Sequence, residues 1–149
     1  MLDSMAMPGD ARRHRALIVE DDEAIRRLVT KLLDRQNISV DSAPDGQTAI
    51  ELLTSNEYSV VVLDLMVPGV NGFQIIEHLK RSGSSTPVAV VSAVSQQSLT
   101  DLDLDIVKIV VGKPFDVDEL TKAIVSLCED YEKREGMGHP PSAAGGVDA

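Results

Sequence analysis

At 149 residues the chain can bury one sizeable core and no more, and its 43% hydrophobic and 26% charged residues are ordinary for a globular domain. The net charge of -10, with basic residues scattered, argues against non-specific nucleic-acid binding, because a phosphate backbone would be repelled; scarce aromatics and the absence of Trp leave little for base stacking. No apolar stretch approaches the ~20 residues needed to span a bilayer.

Residues 1–13, with Pro8, Gly9 and several Met, read as a flexible leader without a hydrophobic segment or cleavage site. Leu17-Ile18-Val19 is a first strand. Ile25, Leu28, Val29, Leu32 and Leu33 recur at helical spacing and predict a helix over 23–36. A short second strand covers 38–40, Pro44-Asp45-Gly46 makes a turn, and Ala49, Ile50 and Leu53 mark a helix ending near Asn56. The third strand spans 59–63. A loop with Pro68, Gly69 and Asn71-Gly72 leads to a helix whose apolar face is Phe73, Ile76 and Leu79. Val88-Ala89-Val90-Val91 is the fourth strand.

Between residues 95 and 105, Leu99, Leu102 and Leu104 make no convincing stripe and three Asp residues interrupt, so at most a short helix is expected. Ile109-Val110-Val111-Gly112 is the fifth strand. The last helix begins with Asp116 as N-cap and Glu119 three residues on, and buries Leu120, Ala123, Ile124, Leu127 and Tyr131. The single Cys128 falls in that pattern as a small core residue; with no disulfide partner and no export signal, a cytoplasmic setting is expected. From residue 136 the Gly- and Pro-rich sequence predicts a disordered tail, so the folded domain is placed at 14–135, with no output domain after it.

Strands and helices thus alternate. Short β-branched runs read as strands buried on both faces of a parallel sheet. The whole predicts an α/β fold, a doubly wound, flavodoxin-like (βα)5 domain with strand order 2-1-3-4-5. In that order the strand ends gather Glu20, Asp21 and Asp64, with Ser92 and Lys113 alongside, in the crevice where such sheets bind ligands.

Two carboxylates ~4 Å apart repel by roughly 4 kcal/mol at an effective dielectric of about 20, so a cluster of three needs positive charge among them. Mg2+ suits carboxylates plus water and phosphate oxygens, and no loop of regularly spaced donors points to Ca2+ instead. Asp22 and Glu23 read as a solvated acidic helix start. A carboxylate such as Asp64 can attack phosphorus to form an acyl phosphate. Lys113 would offer a compact positive charge to one phosphoryl oxygen and Ser92 a hydroxyl to another.

The segments Leu17 to Arg26, Val62 to Gly72, Pro87 to Ala93 and Lys113-Pro114-Phe115, in that order, resemble the receiver domain of two-component response regulators over about residues 15–134. The resemblance implies that Asp64 accepts a phosphoryl group from a sensor histidine kinase or a histidine phosphotransfer protein. It implies that Glu20, Asp21, Asp64 and the backbone carbonyl of Met66 bind Mg2+, that Ser92 and Lys113 contact the phosphoryl oxygens, and that the Lys113-Pro114 bond is cis. Two departures stand out. Val110 occupies the place of the family's usual aromatic, where a β-branched side chain has no comparable travel. The segment before the fifth strand is short and Asp-rich, so an altered output surface is expected. Met66 and Val94, each two residues past a site residue, are apolar where polar side chains can align an attacking water, which predicts slow loss of the phosphoryl group.

A phosphatase using an aspartate nucleophile needs a second carboxylate where Met66 stands. A flavin module would set its phosphate against the repelling run Glu20 to Glu23. The expectation is therefore a stand-alone receiver that is no enzyme beyond its own phosphorylation and dephosphorylation. It would signal through an unknown downstream protein or a second copy as a homodimer, without touching DNA or membrane. The alternative is a receiver-like scaffold that acts independently of phosphorylation.

Overall fold

The computed structural model describes residues 14–93 and 102–138, and of 135–138 the backbone alone. Five parallel strands, β1 (His14–Val19), β2 (Ile38–Ala43), β3 (Val60–Leu63), β4 (Val88–Ser92) and β5 (Val107–Gly112), form one sheet in the order β2-β1-β3-β4-β5. Three of the four described helices, α1 (Glu23–Asp34), α2 (Gly46–Ser55) and α3 (Gly72–Arg81), connect β1 through β4, and the fourth, α4 (Val117–Gly138), follows β5. The expected doubly wound topology is therefore the observed one.

Alternation along the strands feeds two cores. Ala16, Ile18, Val60, Val62, Ala89 and Val91 pack with Val29 and Leu33 of α1 and with Leu120, Ile124 and Cys128 of α4. Leu17, Val19, Val61, Leu63 and Val90 pack on the other face with Ala49 of α2 and Ile75, Ile76 and Leu79 of α3. Because both faces of β1, β3 and β4 are covered, those strands carry no polar side chain from Ala16, Val60 and Val88 until they end; His14 and Arg15 lie at the less buried start of β1. The polar residues that follow are thus forced to the carboxyl edge.

Side-chain caps set where each helix starts. Asp22 accepts from the Ile25 N–H at 3.0 Å, Asp45 from Thr48 at 2.8 Å and Asp116 from Glu119 at 2.9 Å. Asn71 and Gln74 form a reciprocal capping box. Each such cap contributes about 1 kcal/mol.

Several expectations need correction. β2 runs to Ala43 rather than Val40, since it pairs with β1 along its whole length; Asp41 and Ser42 hid this because an edge strand tolerates polar residues. Gly46 is the first residue of α2, not the end of a turn. Helix α1 stops at Asp34, and Asn37 follows with φ 60. Leu28, assigned to its apolar stripe, is exposed. β5 is not buried on both faces: as the other edge strand it alternates, leaving Val110 44% exposed.

Helix α4 continues to Gly138, past the boundary drawn at 135. The leader 1–13, residues 139–149 of the tail, Val94 and most of the doubtful segment 95–105 lie outside the described residues. Residues 104–106 form a turn, held to α3 by Lys80 Nζ at 3.0 Å from Asp103. Among the described residues no helix is long and apolar enough to cross a membrane.

Candidate phosphoacceptor and metal site

Register brings the site residues together. Val19 is paired with Leu63, so Glu20 and Asp64 leave adjacent strands at the same level. The ladder continues one step beyond the strands: Asp64 N–H donates to the Val19 carbonyl at 3.0 Å, and Lys113 N–H to the Ser92 carbonyl at 3.2 Å. Ser92 itself is paired with Gly112, which sets Lys113 beside it.

The side chains converge on Asp64. Ser92 Oγ donates to its Oδ1 at 3.1 Å, the Met66 N–H donates to the same oxygen at 3.0 Å, and Lys113 Nζ lies 2.9 Å from Oδ2. Lys113 Nζ is also 2.8 Å from Glu20 Oε1, while Glu20 Oε2 accepts from the Asp22 N–H at 3.0 Å. Glu20 is 3% exposed, Asp64 7% and Ser92 5%; Asp21 is open to solvent. The Lys113–Pro114 bond is cis. All five expected site side chains are thus at one edge, and the two buried carboxylates are bridged by a single ammonium.

Burial pushes the Glu20 carboxyl above the ordinary carboxylate range, against the hydrogen bonds from Lys113 and the Asp22 amide, which pull it back. Burial alone would lower Lys113. Its contacts with Glu20 and Asp64 outweigh that and hold it above its usual value.

Glu20, Asp21 and Asp64 each offer a carboxylate oxygen, all within 4.8 Å of one another. Such an all-oxygen set, partly open to water, fits a hard divalent cation of the Mg2+ kind.

Two contributions escaped the reading of the sequence. Arg26 Nη1 donates to the Glu20 carbonyl at 2.9 Å and to the Asp21 carbonyl at 3.4 Å, so the first turn of α1 holds the acidic loop by its backbone. Its spacing, six residues after Glu20, was a visible signal. Gly72 donates to the Leu65 carbonyl at 2.9 Å, and a Cβ on it would lie 2.5 Å from the Leu65 Cα, so only glycine closes the neck of the loop after Asp64. Within that loop Leu65 and Val67 are buried and Met66 is 64% exposed.

A parallel 2-1-3-4-5 sheet with an acidic, cation-competent carboxyl edge defines a narrow class of doubly wound α/β domain. Residues 16–125 match the model of the response regulator receiver domain, and the chain belongs to that family. It is 36% identical over 121 residues to the response regulator ArlR of Staphylococcus haemolyticus, covering 80% of this chain and 54% of ArlR. The S. saprophyticus ArlR is 35% identical over 113 residues, covering 74% of this chain and 50% of that protein. The chain spans about half the length of these curated relatives.

Among solved structures, a Francisella response regulator receiver domain aligns with TM-score 0.73 at 27% identity, covering 78% of this chain and 98% of that one. The response regulator TrrA of Thermotoga maritima, solved in complex with Mg2+ and BeF, aligns with TM-score 0.69 at 26% identity, covering 76% and 98%. The chain is therefore a receiver domain of two-component signalling, a signalling module rather than a classical enzyme, with an acidic cluster compatible with Mg2+.

Proposed function

We propose that Asp64 accepts a phosphoryl group from a phosphohistidine on a sensor histidine kinase or a histidine phosphotransfer protein. The observation that carries this reading is the ring of donors on one buried carboxylate: the Ser92 hydroxyl, the Met66 amide and the Lys113 ammonium all touch Asp64. Donors that converge on a carboxylate can be taken over by the oxygens of a phosphoryl group attached to it.

In the transfer, an Asp64 oxygen forms a bond to phosphorus as the P–N bond to the donor imidazole breaks. The imidazole nitrogen keeps the electron pair and is then protonated. Glu20, Asp21, Asp64 and the Met66 carbonyl would hold Mg2+, which when bound supplies positive charge to the phosphoryl oxygens. Lys113 neutralises a second phosphoryl oxygen and Ser92 donates its hydroxyl to a third. Arg26 keeps Glu20 and Asp21 in place through their carbonyls.

The signal then passes through protein contacts, to a downstream protein or to a second copy of the chain, and not through direct contact with DNA, which the net charge of -10 supports; its working place in this reading is the cytoplasm. Val110, exposed on an edge strand, lacks the ring that would swing inward on phosphorylation, so the output surface differs from that of the ordinary relay. Comparing the solution structure with and without a phosphoryl mimic checks this point; the ordinary rearrangement of that face refutes it.

The central test is incubation with acetyl phosphate and Mg2+ followed by intact-mass analysis. The protein gains one phosphoryl group and the Asp64→Asn variant gains none. An unmodified protein under these conditions supports the phosphorylation-independent scaffold instead, and labelling of Asp64→Asn at the wild-type level overturns the assignment of the nucleophile.

A further inference from the structure

The loop between β3 and α3 begins at Asp64 and carries Met66. Its neck is closed by Gly72 and Leu65, and its far side rests on α2. There the Gly46 N–H donates to the Pro68 carbonyl at 3.3 Å. Gly46 also lies so close to Val70 that a Cβ on it would stand 1.6 Å from the Val70 carbonyl oxygen, 2.5 Å from the carbonyl carbon and 2.7 Å from Cβ.

These are mostly backbone atoms, so no rotamer change relieves the clash. Any side chain at 46 must drive the loop and α2 apart by more than an ångström. We propose that Gly46 is a positioning residue for the metal site: by seating Pro68 and Val70 against the start of α2, it holds the Met66 segment at the height where its carbonyl can complete the ligand set of Glu20, Asp21 and Asp64.

The chain of contact is short. Met66 is two residues from Pro68, and Val67 between them is buried in the same core as Ala49 of α2. Pushing residues 68–70 outward therefore pulls on Val67 and tilts the peptide after Met66. The neck at Leu65 and Gly72 fixes the loop ends, so the displacement cannot be absorbed there. Asp64, anchored by the ladder bond to Val19, stays in place. The nucleophile would thus survive a substitution at Gly46 while the metal site loosens.

This rests on the reading that the acidic edge binds Mg2+ through the Met66 carbonyl. The test is a Mg2+ titration followed by amide resonances of the 15N-labelled full chain, for wild type, Gly46→Ala, Asp45→Ala and Val70→Ala, with thermal melts in parallel. Asp45→Ala removes the α2 cap on the Thr48 amide without adding an atom against the loop, so it lowers the melting temperature and leaves the Mg2+ dissociation constant within about twofold.

Gly46→Ala raises that constant about tenfold or more, the usual range for outer positions that orient ligands. Val70→Ala, which loosens the same seat from the loop side, raises it as well and decides the matter if Gly46→Ala does not fold. At saturating Mg2+, acetyl phosphate labels Gly46→Ala as fully as wild type. Equal Mg2+ binding by wild type and by Gly46→Ala, or by wild type and Val70→Ala where Gly46→Ala is unfolded, overturns the proposal. So does equal weakening by Asp45→Ala. A wild-type protein that binds no Mg2+ overturns the underlying metal reading instead.

Discussion

Replacing Lys113 by Met keeps the stem of the side chain and removes the one ammonium that bridges Glu20 and Asp64. The two contacts, 2.8 and 2.9 Å, are each about 6 kcal/mol of attraction at an effective dielectric of about 20. Desolvation of the three groups offsets most of that sum. Breaking a buried pair by removing one partner typically costs about 3–5 kcal/mol, because the remaining charge is stranded. We expect a loss near the lower end, about 3 kcal/mol, since the edge is open to water on the Asp21 side.

The pH dependence has a definite sign. The Glu20 carboxyl is already raised by burial and rises further without Lys113. A carboxyl raised in the folded state carries a stability penalty that is absent below its ordinary value of 4.5, builds as pH rises from there to the folded value, and is constant above it. At the alkaline end, Lys113 in the wild type is raised, so its contribution is present below 10.5 and lost as pH climbs through the folded value. The gap between wild type and Lys113→Met is therefore widest near neutrality and closes toward both ends. Mg2+ restores the missing charge, and at about a hundred times its dissociation constant adds about 2.7 kcal/mol to the variant. Urea unfolding in EDTA and in Mg2+, repeated across pH, measures all of this. Equal stability of the two proteins in EDTA near neutrality, or a gap that persists when the carboxyls are protonated, refutes the reasoning.

Other expectations follow from the same geometry. Arg26→Ala loses the charged hydrogen bonds to the Glu20 and Asp21 carbonyls and should cost about 1.5 kcal/mol in urea unfolding, with weaker Mg2+ binding; no change in either would show the loop is held otherwise. Met66 is exposed beside Asp64 and cannot orient water, so the phosphorylated protein should keep its label for much longer than seconds, and Met66→Asn should shorten that lifetime when followed by intact mass. Burial pushes the Cys128 thiol up to about 12, so it should resist thiol reagents until the protein unfolds. Since the unfolded thiol ionises above its ordinary value of 9.0, stability should fall between 9.0 and about 12; Cys128→Ala should show a shallower alkaline decline, and rapid labelling of the native protein would contradict its placement.

Much of the fold was legible because covered strands leave a simple trace. The covered parts of β1 (from Ala16), β3 and β4 are buried on both sides, so each is a run of apolar residues ending at the next polar one, and those end points are Glu20, Asp64 and Ser92. The edges were less legible. β2 and β5 have one open side, so Asp41, Ser42 and Lys108 sit within strands and blur their limits, and the exposure of Val110 could not be told from its neighbours' type. Helix ends marked by caps, such as Asp116, were visible; the end of α1 at Asp34 was not, because Arg35 and Gln36 continue a plausible helical composition.

For this chain the order of residues alone settled which groups reach the carboxyl edge, since polar side chains are excluded from a strand covered on both faces and must wait for its end. Only the folded structure decided how those groups share one another: that a single ammonium serves two buried carboxylates, that Arg26 grips the acidic loop by its carbonyls, and that Gly46 lies against the peptide of Val70. Those are contacts between residues up to 93 positions apart, from Glu20 to Lys113, at distances where a shift of one ångström changes the chemistry. A pattern of apolar and polar letters has no record of such distances.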